Sequence, residues 1–142
     1  MTPSLPTAIF QPVAFLVFWT LNVLLLVPFA RFRAGAKREV VADDFRYGES
    51  DRVPEHVRLP NRNFMNLLEV PVLFYVGCLV AFISQHVDPS LLTIAWVYVA
   101  LRAAHSVVHL SYNHVMQRMM IFAISNVVLT VFWTRLCWLL WA

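Results

Sequence analysis

The sequence has no charged residue in its first 30 positions, and charged residues make up only 13% of its 142 residues, against 60% hydrophobic ones. Ordinary soluble domains contain about 45–50% apolar residues, so a chain this apolar cannot hide its surface in one soluble core. The missing charges also argue against a secretory signal peptide, which begins with a basic segment and has a shorter apolar run. The composition therefore predicts an integral membrane protein whose first apolar tract is retained.

Cysteine and histidine are also scarce, at two and five residues. Cys78 and Cys137 both fall in apolar tracts, so no disulfide framework is expected and both are interpreted as inert buried thiols. His105 and His109 have the i, i+4 spacing that can hold a metal. A haem held by two histidines across the bilayer would need ligands from two helices, and only one helix supplies them here. We therefore predict no metal site and expect these histidines to form hydrogen bonds within a polar seam.

The apolar residues form four tracts, each close to the roughly 20 residues that a helix needs to cross a bilayer. We predict an all-α fold, an integral membrane four-helix bundle that forms a single domain over residues 1–142. The predicted spans cover residues 8–30, 64–84, 89–110 and 119–142.

A charged connector, residues 31–62, joins the first two spans and holds eight of the eleven Lys and Arg residues and six of the eight acids. Its glycines and prolines predict a solvated connection. Loops rich in Lys and Arg tend to stay in the cytoplasm. Loops 31–62 and 111–118 are therefore predicted to be cytoplasmic, with both termini on the far side. Arg135, the one charge of the last span, is expected to extend toward the membrane interface.

Polar side chains in the second and third spans recur at helical spacing. Arg62, Asn66 and Glu69 follow i, i+4, i+7, and Arg102 and His105 follow i, i+3, so each set shares one helix face. At about 1.5 Å rise per residue, Glu69 and Arg102 lie at similar depths, roughly 10 and 12 Å in from the same side. Because a charge inside a membrane usually has a partner, we predict that these two residues pair.

Arginine outnumbers acid in this half of the predicted bundle. Arg31, Arg62, Arg102 and Arg118 face one buried carboxylate, and guanidinium groups bind carboxylates through paired hydrogen bonds. The pattern therefore predicts a site for a small anionic ligand. For Arg31 and Arg33, at the end of the first span, neutralisation by lipid headgroups is the alternative.

Three local signatures point to a known family. The stretch RNFMNLLEVP, residues 62–71, resembles an Arg-x-x-x-Asn-x-x-Glu pattern ahead of a proline, and LRAAHSVVHL, residues 101–110, resembles an Arg-x-x-His on a third helix. Arg118 resembles an arginine at the start of a fourth helix. In this order, the signatures resemble the MAPEG family, the membrane-associated proteins in eicosanoid and glutathione metabolism. The resemblance covers nearly the whole chain.

The resemblance implies a homotrimer that binds glutathione as its thiol cosubstrate between neighbouring subunits, near the cytoplasmic side. It implies a glutathione transferase or peroxidase that acts on apolar electrophiles or lipid hydroperoxides from the membrane, and no nucleic-acid partner. Arg118 would be the catalytic residue, because a guanidinium near sulfur favours the thiolate. The residues that would bind glutathione are Arg31, Arg62, Asn66, Glu69, Arg102, His105 and His109.

Four positions depart from the prostaglandin synthase branch of the family. That branch has Arg in place of Met65, Ser in place of Met119, and Tyr in place of His109 and Phe122. The lost hydroxyls and cation argue against prostaglandin isomerase activity, and leave general transferase or peroxidase activity as the main hypothesis. The alternative is a non-enzymatic protein of this fold, with a structural, lipid-binding or partner-binding role.

Overall fold

The computed structural model describes residues 5–141, and this part of the chain is helical and contains no strand. Four of its helical segments are long and apolar enough to cross a membrane, which confirms the predicted all-α membrane protein with four spans. Besides a 3₁₀ turn at Ala42–Phe45, the helices are α1 Leu5–Ala8, α2 Phe10–Ala36, α3 Glu55–Leu68, α4 Pro71–Ile83, α5 Pro89–Leu110 and α6 Val115–Trp141.

The loops are shorter than the charge pattern predicts. The charged connector expected at residues 31–62 is helical at both ends, because α2 continues to Ala36 and α3 already begins at Glu55. The loop expected at residues 111–118 likewise ends before α6 begins at Val115. Charged residues such as Arg favour helix as much as most apolar ones do. A charge therefore indicates where a chain leaves the lipid, while the helix continues past that point.

Helix ends in this chain use residues other than glycine in the left-handed conformation. Arg38 and Gln85, which follow α2 and α4, both have φ of 61°, and Asn113 after α5 has φ of 46°. After α2, the N–H of Glu39 donates to the carbonyl of Ala34 at 2.9 Å. This bond satisfies a carbonyl that the helix end would otherwise leave free.

The second predicted span is two helices rather than one. Between α3 and α4, Glu69 has φ −77° and ψ −92°, well outside helical geometry. Pro71 begins α4, and its ring nitrogen has no N–H to donate to the last turn of α3. The expectation of a continuous helix over residues 64–84 is therefore wrong at Glu69, whose side chain lies at a break.

Aromatic rings join α4, α5 and α6. The Phe74 ring lies 4.8 Å from that of Tyr98 and 5.7 Å from that of Phe132, and all three side chains are fully buried. Gly77 lets α6 approach α4 closely, since a Cβ at this position would lie only 2.7 Å from the Phe132 ring. Close packing of α4 against α6 therefore requires glycine at position 77 as well as the large aromatic rings.

The connector between α2 and α3 is folded onto the helix ends. The buried Asp44 carboxylate accepts hydrogen bonds at 2.9 Å from the Val41 N–H and from the Ser50 hydroxyl, and lies 3.3 Å from Arg52. The Val41 N–H, then the Ser50 hydroxyl and Arg52, lower the pKa of Asp44, against the effect of burial. The connector is thus ordered around one buried carboxylate, while most residues between positions 37 and 54 are exposed, in agreement with the predicted solvated connector.

At the opposite end of the bundle, Arg135 forms an ion pair with Asp88. The other Asp88 oxygen accepts the Leu91 N–H at 2.7 Å, so the same carboxylate caps the start of α5. Arg135 therefore ties α6 to the start of α5, and its side chain extends to the loop between the second and third spans. Of the two thiols, Cys78 is buried and Cys137 half-buried, and both are free.

Candidate functional site

Arg102 occupies the break between α3 and α4. Its guanidinium is fully buried, and Nη2 donates to the backbone carbonyl of Asn66 and, at 3.0 Å, to the Asn66 side-chain oxygen. A cation is favoured at a helix C-terminus, where carbonyls lack partners in the helix. The guanidinium also lies 5.4 Å from the centre of the Phe122 ring. One side chain therefore connects α3, α5 and α6.

Glu69 is not the partner of Arg102. Its side chain is exposed, and it forms no ion pair with any residue between positions 5 and 141, although its negative charge acts on the Arg102 guanidinium at longer range. The prediction that the two residues pair assumed a straight helix, which would carry Glu69 inward. The break ahead of Pro71 changes its direction, and Asn66 meets the guanidinium instead.

Two histidines lie beside this contact. His105 and His109 are 2% and 5% exposed, and their ring centres are 5.8 Å apart. Next to them, the Asn63 amide donates to the Ser106 hydroxyl at 2.6 Å, and both of these side chains are fully buried. Sequence reasoning missed Asn63 as a site residue, although it lies one turn before Asn66. Among the described residues, no group of three or more His, Cys, Asp or Glu side chains could hold a metal.

Several nitrogen atoms in this cluster have no partner. Within the part of the chain that the structure describes, Arg102 Nε and Nη1, His105 Nδ1 and both ring nitrogens of His109 are buried without a hydrogen bond. Buried polar atoms are satisfied in the large majority of cases. Leaving a buried donor without a partner costs about 1–3 kcal/mol. A cluster of this kind is therefore suited to accept hydrogen-bonding groups from a bound molecule or from water.

A pocket of about 290 Å³ opens beside the cluster. It contains three of the predicted site residues, namely Arg118, Asn66 and His105. Its lining residues are Asn66, His105, Val115, Arg118, Met119 and Phe122. The pocket thus has polar groups from α3 and α5, one cation from α6, and an apolar wall on α6.

Asn113 positions the Arg118 side chain. Arg118 Nη1 donates to the Asn113 side-chain oxygen at 2.7 Å, and the Asn113 amide reaches Glu55 at 3.4 Å. The left-handed backbone of Asn113 is one that Asn adopts more readily than most residues. Sequence reasoning missed this residue. The available signal was an Asn in the short turn that precedes the predicted catalytic arginine.

Other predicted site residues lie outside the pocket wall. Arg31 forms an ion pair with Glu49 at 3.2 Å and lies 4.6 Å from the centre of the Phe45 ring, so it belongs to the folded connector. Arg62 and Glu69 are exposed on the surface of the single chain. Arg102 and His109 are buried behind the pocket. The structure therefore separates a pocket group from an exposed group on α3.

Comparison with known proteins gives one result. A family model, described as the MAPEG family, matches residues 9–138. No curated protein and no solved structure matches the chain significantly. The matched region includes most of every candidate span and all residues of the pocket. The chain therefore belongs to the MAPEG family and is a membrane protein of this glutathione and eicosanoid metabolism family.

Proposed function

We propose that the protein is a glutathione-dependent transferase or peroxidase that acts on apolar electrophiles or lipid hydroperoxides. The observation that carries the proposal is the pocket in which Arg118 lies beside Asn66 and His105. A cation at the mouth and unsatisfied nitrogen atoms behind it suit an anionic thiol compound. Family membership supports the choice of glutathione among such compounds.

The chemistry of the site fits glutathione, which carries two carboxylates and an ammonium group. Arg102 still has two nitrogen donors without an acceptor, and guanidinium groups bind carboxylates well. Ligand pockets usually enclose about 300–1,000 Å³, so the 290 Å³ pocket is small for a tripeptide. A single chain would therefore enclose only part of the ligand.

A homotrimer would supply the rest of the site. Arg62 and Glu69 are exposed although they lie in a helical segment that is able to cross the membrane. Charged groups at membrane depth usually face a protein interior or a seam. We infer that a neighbouring subunit covers this face of the single four-helix domain. Arg62 and Glu69 would then contact glutathione at the subunit boundary, with Arg31 contributed nearby.

Arg118 would act on the sulfur. An ordinary thiol has a pKa of about 8.5, and a nearby guanidinium lowers it by stabilising the thiolate. In the transferase reaction the thiol proton passes to solvent, a carbon–sulfur bond forms, and the leaving group departs with its electron pair. In the peroxidase reaction two thiols become a disulfide while the hydroperoxide becomes an alcohol and water. Val115, Met119 and Phe122 would form the apolar wall against which the substrate lies.

The orientation in the membrane follows from the charges. We propose that the connector between α2 and α3 and the turn between α5 and α6 face the cytoplasm, with both termini on the far side. Single cysteines placed in each loop, in a background without Cys78 and Cys137, would be labelled by an impermeant thiol reagent from one side only. Labelling of the α2–α3 connector from outside intact cells would refute this orientation.

The direct test measures the bound thiolate. Purified protein mixed with glutathione near neutral pH should show ultraviolet thiolate absorbance, and Arg118→Ala should abolish both the absorbance and the conjugation rate while the oligomer remains intact. Arg62→Gln should mainly weaken glutathione binding, because Arg62 would hold a carboxylate. If the unaltered protein neither binds glutathione at millimolar concentration nor forms thiolate, the non-enzymatic alternative replaces this proposal. The apolar Met119 in the pocket wall is the observation that favours that alternative.

A further inference from the structure

We propose that a second site, between the C-terminal end of α2 and the N-terminal end of α3, binds the phosphate headgroup of an anionic phospholipid. A cavity of about 430 Å³ lies there, separate from the pocket that contains Arg118. Its lining residues are Phe29, Ala30, Arg33, Lys37 and His56. The proposal requires neither thiol chemistry nor a trimer.

The charges of this cavity are only partly neutralised. Lys37 lies 3.8 Å from one oxygen of Glu39, and His56 lies 3.1 Å from the other oxygen. Arg33 is exposed and makes no ion pair with any residue that the structure describes. One carboxylate is thus shared by two neighbours while a full guanidinium charge remains free. The cavity therefore favours an anion.

The position of the cavity along α2 indicates that its anionic ligand is a lipid. The 27 residues of α2 extend about 40 Å, while the hydrocarbon core of a bilayer is about 30 Å thick. The last turns of α2, with Arg33, and Lys37 directly after the helix therefore reach the level of the headgroups. Phe29 lies one turn closer to the hydrocarbon. The cavity thus has cations at the height of lipid phosphates and an aromatic ring just below them.

An apolar stripe continues from the cavity toward the middle of α2. Phe29, Leu25 and Phe18 share this face and are 63%, 66% and 67% exposed. Their spacing of four and seven residues places them along one line on the helix. An acyl chain can lie along this line while its headgroup phosphate contacts Arg33. Free phosphate would use only the cations, so the stripe distinguishes a phospholipid from a soluble anion.

The experiment compares two charge-matched variants of the full-length protein in detergent micelles. Arg33→Gln/Lys37→Gln removes two positive charges at the cavity. Arg46→Gln/Arg52→Gln removes two from the connector, where both side chains are exposed at 63% and 83%. Native mass spectrometry would count bound dioleoylphosphatidylglycerol and dioleoylphosphatidylcholine during titration. A basic residue close to an anionic headgroup contributes roughly a fivefold preference for anionic lipid, whereas Arg46 and Arg52 are already paired with Asp43 and Asp44. The cavity variant should therefore lose roughly 10- to 30-fold of its preference for phosphatidylglycerol, and the connector variant less than threefold.

Three results would overturn the proposal. Equal losses in both variants would mean that general surface charge attracts the lipid. Displacement of phosphatidylglycerol by inorganic phosphate at equal concentration would mean that the site is a simple anion site. A cavity variant with unchanged lipid binding and an altered oligomeric mass would mean that a second copy of the chain occupies the groove.

Discussion

The contact between Arg102 and Asn66 should stabilise the bundle far more than Glu69 does. In the structure, the buried guanidinium donates to both oxygens of Asn66, while the Glu69 side chain is exposed and unpaired within residues 5–141. We therefore expect Asn66→Leu to destabilise the protein and Glu69→Gln to leave its stability nearly unchanged. The two substitutions lie one turn apart, and they differ in that Asn66→Leu removes the side-chain acceptor of Arg102 whereas Glu69→Gln removes only a negative charge.

The magnitudes follow from the bonds removed. Asn66→Leu removes one hydrogen bond to a charged group, which contributes about 1.5–3 kcal/mol, and keeps the backbone carbonyl as an acceptor. Arg102→Met removes both bonds to Asn66, so its cost should exceed that of Asn66→Leu. Glu69→Gln removes a charge that makes no ion pair within residues 5–141, so it should cost less than Asn66→Leu. Because Asn66 and Arg102 share a bond, their double variant should show an interaction energy of about 0.5–3 kcal/mol.

Reversible unfolding of the detergent-solubilised protein, by titration with a denaturing surfactant, measures these free energies. The double-mutant cycle of Asn66→Leu with Arg102→Met is compared with that of Glu69→Gln with Arg102→Met. The reasoning fails if the Glu69 cycle shows the larger interaction energy, because Glu69 would then be the partner of the buried cation. It also fails if Asn66→Leu costs no more than Glu69→Gln.

Three further outcomes are expected. Asn113→Gly keeps the left-handed turn but removes the acceptor of Arg118. Thiolate absorbance should therefore fall several-fold with little change in thermal stability. Loss of folding would contradict a positioning role for Asn113. Burial raises the pKa of Asp88, but hydrogen bonds from Arg135 and from the N–H of Leu91 outweigh it, so the pKa in the folded protein is lowered. The carboxylate therefore stabilises the fold above the unfolded pKa of about 3.9, and this stabilisation is lost as pH falls through the lower pKa of the folded protein. Asp88→Asn keeps a helix cap and should flatten that acid dependence of the melting temperature. Gly77→Ala places a Cβ 2.7 Å from a buried ring and should cost about 1–3 kcal/mol in the same unfolding titration, whereas an unchanged midpoint would mean that the ring moves freely.

Composition predicts the four membrane spans, and the resemblance of three local motifs to a known family identifies the family. Uncharged tracts of the right length leave few alternatives to membrane helices. The polar residues at helical spacing also identify where the pocket forms, since Asn66, His105 and Arg118 all line it. The spans and the position of the pocket depend on local sequence, so a single chain is enough to predict them.

Side-chain partners could not be predicted, because they depend on small changes in backbone direction. Pro71 is visible in the sequence, but its effect on the preceding turn determines whether Glu69 or Asn66 contacts Arg102. The similar depths of Glu69 and Arg102 do not distinguish these two possibilities. Arg31 illustrates the same limit. Arg31 pairs with Glu49 and does not line the pocket, because the folded connector brings Glu49 to the end of α2. Composition predicts that the connector is solvated but does not predict this contact.

The two faces of α3 explain why its polar motif is so dense. One face contains Asn63, which is buried against α5. The other face contains Arg62 and Glu69, which are exposed. Asn66 lies between these faces, since it contacts the buried Arg102 and also lines the pocket. One surface of the helix thus holds the chain together, and the other presents charges outward at membrane depth, where lipid cannot satisfy them. In the proposed homotrimer, a pocket at the edge between the two faces would bind a ligand that the neighbouring subunit also contacts.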